Sequence, residues 1–308
     1  MESIHLISLR HSAFYTPYLI AFVAGFLEKQ GLNASYRCVG SLDELESALI
    51  SGQAQVAQSA VGVSMRQIDV QQDIQKNTSS AMTNEIMHFA QINQRDGFFI
   101  AAAVDDEIID NDFNWKLLEN KRVIADHLFQ PMATLKYVLE QQQVDISSIT
   151  FLDIGNAEQS MLAFKEGKAD FLHLQGPFPQ QLEAEGSARI VASVGEVLGD
   201  IAYSSLCATT DWLMKPVAKK FMTAYNEALA YVKESSSETL AQQILSQFDN
   251  ISMEVLKQTI SAYKELGTWE GQACISEQSY QNANRVFLHS GDITSPVKYN
   301  KVVSTVLC

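Results

Sequence analysis

The dipeptide Asp126-His127 closes the segment KRVIAD and sets a carboxylate beside an imidazole, the pair used in general acid–base chemistry. Neighbours on a strand point to opposite faces, which favours structural or ligand-binding use over catalysis at this pair. His11 and Tyr15 follow the first apolar segment. There an imidazole can bond a ligand edge while a phenol ring stacks on it. Polar residues stand at three helix starts: Ser12 and Thr16, Gln130, and Asn156. Unpaired N–H groups at such starts suit anionic groups, although the same side chains serve equally as caps. Ser59 and Ala60 end one short apolar segment, and Gln175 and Gly176 end a similar one. Glycine at 176 permits a close backbone approach or a positive φ, so Gly176→Val should weaken ligand binding more than it weakens the fold. Tyr203 lies where it can line the floor between these groups. No metal-ligand spacing, nucleophile elbow or phosphate loop is present, so no catalytic residue, metal or cofactor is assigned. His5, His88, His173 and His289 read as structural.

The elements that must position these residues follow a repeated order. SIHLISL (3–9) reads as a strand, and TPYLIAFVAGFLEKQGL (16–32) as a helix with Thr16 as N-cap, Pro17 at its first position and Gly31 at its end. ASYRCVG (34–40) reads as a strand. SLDELESALISG (41–52) reads as a helix opened by a Ser41–Glu44 capping box, and AQVAQSA (54–60) as a strand. The second half restarts with KRVIAD (121–126), a helix over 130–144, SITFLDI (148–154), a helix over 156–167 capped by Asn156, and ADFLHLQ (169–175). Gly52 and Gly167 end corresponding helices. The alternation predicts parallel sheets covered by helices, in two lobes. Ligands of such sheets bind at the carboxyl ends of the strands, so facing lobes make a cleft. The crossovers are expected within 91–104 and 199–210. The lobes then comprise 1–101, 102–198, and a return over 199–308 whose helices pack on the first lobe.

Composition sets outer limits. The chain has 308 residues, 46% apolar and 19% charged, which suits a globular protein with a sizeable core. A net charge of −14 argues against nucleic acid as a partner. No apolar run is long enough to span a bilayer. MESIHLISLRHS has an acid at position 2 and alternates like a strand, so the chain reads as cytoplasmic as it stands, and as periplasmic if a leader precedes it. Cys38, Cys207, Cys274 and Cys308 show no paired spacing and read as free thiols.

Several stretches together resemble the type II periplasmic-binding-protein fold. They are TPYLIAFVAGFLEKQGL, LISGQAQVA, LAFKEGKADF followed by QGPFPQQLEAEG, and SYQNANRVFLHSGDITSPVKY. The resemblance is greatest to solute-binding proteins for sulfonates, taurine, nitrate and thiamine-pyrimidine precursors. It implies an α/β protein of two lobes and two hinge crossovers. It also implies a small polar or heteroaromatic metabolite in the cleft, and a permease or other protein partner. A cytosolic enzyme of thiamine or related cofactor metabolism, or a ligand sensor, would use the same cleft. The related pyrimidine synthase carries a Lys–His pair and a cysteine-rich run, which QVAQSAVGVSM (55–65) and the rest of the chain lack. Pyrimidine synthesis is therefore not expected.

Overall fold

The computed structural model describes residues 1–75, 85–104, 113–126 and 129–308, apart from the side chains of 71–75. Among the described residues, ten strands form two five-stranded sheets. The first contains β1 (Glu2–Ser8), β2 (Leu32–Cys38), β3 (Val56–Ala60), β4 (Ile86–Asn93) and β10 (Ser204–Thr209), in the order β2-β1-β3-β10-β4. The second contains β5 (Phe98–Ala103), β6 (Arg122–Ala125), β7 (Thr150–Leu152), β8 (Phe171–Gln175) and β9 (Ala188–Ser193), in the order β7-β6-β8-β5-β9.

Both sheets are mixed, not parallel. β1 runs parallel to β2 and β3, while β10 runs antiparallel between β3 and β4. In the second sheet β6 runs parallel to β7 and β8, while β5 runs antiparallel between β8 and β9. The antiparallel strand in each sheet is the one that has just crossed from the other, and it enters from the opposite end. Simple strand–helix alternation does not reveal this exchange. The two crossing segments also bond to one another: Ile201 N–H donates to Gln94 O at 2.8 Å and Tyr203 N–H to Asn93 O at 3.3 Å.

Local chemistry explains most of the boundaries. Gly52 and Gly167 have φ of 75° and 73°, so both helix ends need the left-handed region that glycine enters without a Cβ penalty. Asn156 forms a complete capping box with Gln159. At Ser41 the box is only half made: its hydroxyl accepts from Glu44 N–H, but the Glu44 carboxylate turns to Gly40 N–H at 2.9 Å and to Arg37. Thr16 is not an N-cap. Ser12 caps the short turn Ala13–Tyr15, Thr16 begins the next helix, and its hydroxyl donates to Ala13 O at 2.6 Å. That helix stops at Val23 because Gly25, at φ 77°, turns the chain before the short piece Phe26–Lys29. The 130–144 helix is observed at Phe129–Gln141.

The C-terminal helices do more than cover the first sheet. Pro216–Glu234 packs on Thr16–Val23, but Met253–Glu265 also packs on Phe178–Ala184, and Glu277–His289 on Phe129–Gln141. Tyr263 carries this bridge into the interior: its hydroxyl accepts from Gly176 N–H at 2.9 Å and donates to Gly97 O at 3.1 Å.

The free-thiol reading fails for two cysteines. Cys274 and Cys308 form a disulfide with Cα atoms 5.8 Å apart, while Cys38 and Cys207 are free. Spacing along the chain could not show this. The pair meets because the tail runs back after the helix Glu277–His289 and bridges β4, where Val303 pairs with His88. The bond closes a separation of 34 residues. Cross-linking a loop of that size stabilises by about 3–4 kcal/mol through the unfolded chain. A Cys308→Ser variant should unfold at lower denaturant by that amount. Equal midpoints for variant and wild type would show that the bond adds nothing.

Candidate ligand cleft

A cleft of about 840 Å³ opens where strand ends of the two sheets meet. The exit of β1 supplies Arg10, His11 and Ser12, and that of β6 supplies Asp126. The β7 exit supplies Asp153 and the start of the helix Ala157–Lys165, and β8 supplies Gln175, Gly176 and the turn to Phe178. The fourth wall is the turn at Gln247–Ile251, from the C-terminal helices.

Two ties cross from one sheet to the other beside the cleft. Arg10 Nη1 is bonded to Asp126 Oδ2. Burial alone would lower the Arg10 pKa, but the hydrogen bond and charge of Asp126 outweigh it, and the net change is upward. The Ser12 hydroxyl donates to Gly176 O at 2.7 Å while accepting from Phe14 N–H at 3.1 Å. Together these bonds hold both walls in register.

His11 sits on the wall, but its ring is already engaged. Nε2 lies 2.6 Å from the carbonyl of Gln247, which can only accept, so Nε2 carries the proton. Nδ1 then accepts from Tyr36 OH at 3.1 Å. Burial lowers the His11 pKa, against the opposing pull of Gln247 O and Asp249, so the ring is neutral at pH 7. It packs 4.5 Å from the Phe248 ring. Tyr15 lies buried behind the wall, with its ring 5.7 Å from Phe14.

Of the residues singled out in the sequence, His11, Ser12, Asp126, Asn156, Gln175 and Gly176 come together on this cleft. Thr16, Tyr15, Ser59, Ala60, Gln130 and Tyr203 do not line it. Ser59 is buried in β3 opposite Ser205 of β10, and Ala60 opposite Ser204. The entering β10 covers β3 on the side that a purely parallel sheet would have left open. Gln130 is buried and donates from Nε2 to Tyr203 O at 3.0 Å, which ties its helix to the return crossover. His127 lies outside the described residues. Asn156 is occupied as a cap: its Oδ1 accepts from Gln159 N–H, and Gln159 Oε1 accepts from Asn156 N–H at 3.0 Å.

The expectation for Gly176 changes as well. A Cβ there would lie 2.7 Å from Thr259 Cγ2, 2.8 Å from Gln180 Oε1 and 2.9 Å from Tyr263 OH. The close approach is made by the protein's own side chains, so Gly176→Val would disturb the bridge between the halves and lower stability too.

Sequence reasoning missed Arg10, Asp153, Glu158 and the Gln247–Ile251 turn. Arg10 stands next to His11 at the end of β1, and that position was signal enough. The turn lies between two helices of the non-repeated region, so the α/β repeat gives no pointer to it. Among the described residues, no group of three His, Cys, Asp or Glu side chains could hold a metal ion. Among them, too, no helix is long and apolar enough to cross a membrane.

Several known proteins are similar to this chain. The curated "Putative binding protein YtlA" of Bacillus subtilis (strain 168) is 26% identical over 314 residues, covering 99% of this chain and 88% of that one. The solved ligand-binding component of an ABC-type import system from Staphylococcus aureus, with zinc bound, superposes at a TM-score of 0.76 with 15% identity, over 100% of this chain and 98% of that one. The alkanesulfonate-binding protein SsuA from Xanthomonas axonopodis pv. citri, bound to MOPS, superposes at 0.71 with 15% identity, over 99% and 98% of the two chains. At these identities the solved structures establish the fold, which is that of the two-lobed binding proteins. The family described as NMT1/THI5 like matches residues 13–239, and the chain belongs to it.

Proposed function

We propose that the chain is a solute-binding protein that closes two lobes on a small polar or heteroaromatic metabolite. The observation that carries this is the cleft itself. It is walled by strand ends of both sheets and bridged by Arg10–Asp126 and Ser12–Gly176. Such a site is made or lost by relative movement of its walls, and a ligand favours closure by binding the closed form better than the open one. The lobes are taken as 1–101, 102–198 and the return 199–308, hinging where the crossovers bond to each other. Within the cleft, His11, Ser12, Asp126, Asn156, Gln175 and Gly176 are assigned to the ligand's surroundings.

The same reading puts the protein outside the cytoplasm, delivering its ligand to a permease. The YtlA name and the Staphylococcus aureus import component are in keeping with this. The Cys274–Cys308 disulfide supports it independently, since such bonds persist in oxidising compartments.

Native mass spectrometry of freshly purified protein should reveal a co-purified small molecule. Small-angle scattering should show compaction when that molecule is restored to stripped protein. In calorimetry with it, Gln175→Ala should cost about 1 kcal/mol, one hydrogen bond's worth. Scattering that never changes with ligand, and a Gln175→Ala variant that binds as wild type does, would sink the reading.

A further inference from the structure

We infer that the cleft selects a ligand carrying a positive charge, such as a protonated amine or a cationic nitrogen heterocycle. This rests on the solute-binding reading above and narrows it. The first ground is charge. Four carboxylates line the cleft, Asp126, Asp153, Glu158 and Asp249, against one guanidinium, Arg10. Arg10 is already bonded to Asp126, and His11 is neutral. Glu158 stands at the start of the helix on the second-sheet wall and Asp249 in the turn on the facing wall, so negative charge borders the space from both sides. Low-dielectric walls focus such a field, drawing in cations and repelling anions.

The second ground is independent of charge and concerns donors. An oxyanion needs N–H and O–H groups aimed at it, and five of those on this wall are engaged within the protein. Ser12 Oγ donates to Gly176 O. Gly176 N–H donates to Tyr263 OH, and Gly155 N–H to Asp153 Oδ1 at 3.2 Å. Asn156 N–H and Gln159 N–H are consumed by the capping box. The capping box leaves only the Ala157 and Glu158 N–H groups at this helix start, and the Glu158 carboxylate stands on the same turn, where its charge opposes an anion. Leu174, Phe178, Phe248 and Ile251 supply apolar surface for the body of an organic cation, and the phenyl faces favour its charge. The sulfonate chemistry of the Xanthomonas protein therefore does not carry over with the fold.

Three probes of similar size separate the possibilities: benzylamine, a cation at pH 7.5; benzyl alcohol, neutral; and benzenesulfonate, an anion. Benzylamine at millimolar concentration should raise the melting temperature, and the effect should fade with added salt. Benzyl alcohol and benzenesulfonate should leave it unchanged. Glu158→Gln combined with Asp249→Asn should weaken benzylamine binding at least tenfold in calorimetry. The inference is overturned if benzenesulfonate or benzyl alcohol stabilises as strongly as benzylamine. It is overturned equally if no probe binds, or if the double variant binds benzylamine unchanged. None of these outcomes touches the solute-binding reading, which stands or falls on the co-purified molecule and the compaction it causes.

Discussion

Gly195→Ala should destabilise the protein by about 3 kcal/mol, well above the usual cost of adding one methyl group to a surface helix. Gly195 lies in the short helix Val194–Leu198, just before the return crossover. A Cβ built there would lie 2.1 Å from the carbonyl oxygen of Asp96 in the outgoing crossover, and 3.1 Å from its carbon. Both neighbours are backbone, so no side-chain rotation relieves the overlap. One crossover would have to move away from the other, yet they are joined by the Ile201–Gln94 and Tyr203–Asn93 bonds. Gly40→Ala is the matched control: its nearest contact would be Glu44 Oε2 at 3.7 Å, an ordinary distance. For a chain of this size the loss corresponds to about 5 °C in melting temperature. Thermal melts of both variants decide the matter. A Gly195→Ala protein that melts within a degree of Gly40→Ala would show that the crossovers are not in the contact described.

The repeated α/β halves were legible because their signals are local. Helix ends needing a positive φ select glycine at 52 and 167, and a capped helix start selects Asn156. The cleft residues that follow directly from those elements, Ser12, Asp126, Gln175 and Gly176, were legible for the same reason. What was not legible depends on pairings distant in sequence. The direction of β10 is set by crossing from the other sheet, and that direction pairs Ser59 with Ser205 and Ala60 with Ser204. The His11 ring is claimed by Tyr36 and by Gln247, the latter 236 residues away. The Cys274–Cys308 bond depends on a tail that returns to β4. None of these has a periodicity or a cap to announce it.

The crossover that Gly195 supports also carries a buried acid, and its titration should be visible in stability. Asp96 is fully buried; Oδ1 accepts from Phe98 N–H at 2.7 Å and Oδ2 from the Thr134 hydroxyl at 2.6 Å. Burial pushes its pKa up to about 7, although hydrogen bonds from Thr134, Phe98 N–H and Tyr203 pull the other way. In the unfolded chain an aspartate titrates near 4. The folded protein therefore holds a proton that the unfolded chain releases. The resulting stabilisation is complete below about pH 4, declines as pH rises, and is gone above about pH 7. Between pH 5 and 8 the loss amounts to about 2.5 kcal/mol. Tyr15, Tyr203 and Tyr263 face the same region, and burial raises all three phenols, so they stay neutral throughout. Arg10 stays charged. His88 titrates with the opposite sign: burial pushes it down to about 3, so its contribution rises with pH up to the ordinary histidine range. A raw pH profile mixes the two, but the difference between wild type and Asp96→Asn isolates the aspartate. That variant cannot ionise and should be the less stable protein at pH 5, where it loses one of the two acceptors. It should gain on wild type by about 2.5 kcal/mol as pH rises to 8. Denaturant titrations at three pH values measure this directly, and a difference that stays flat from pH 5 to 8 would mean that Asp96 is ionised in the fold.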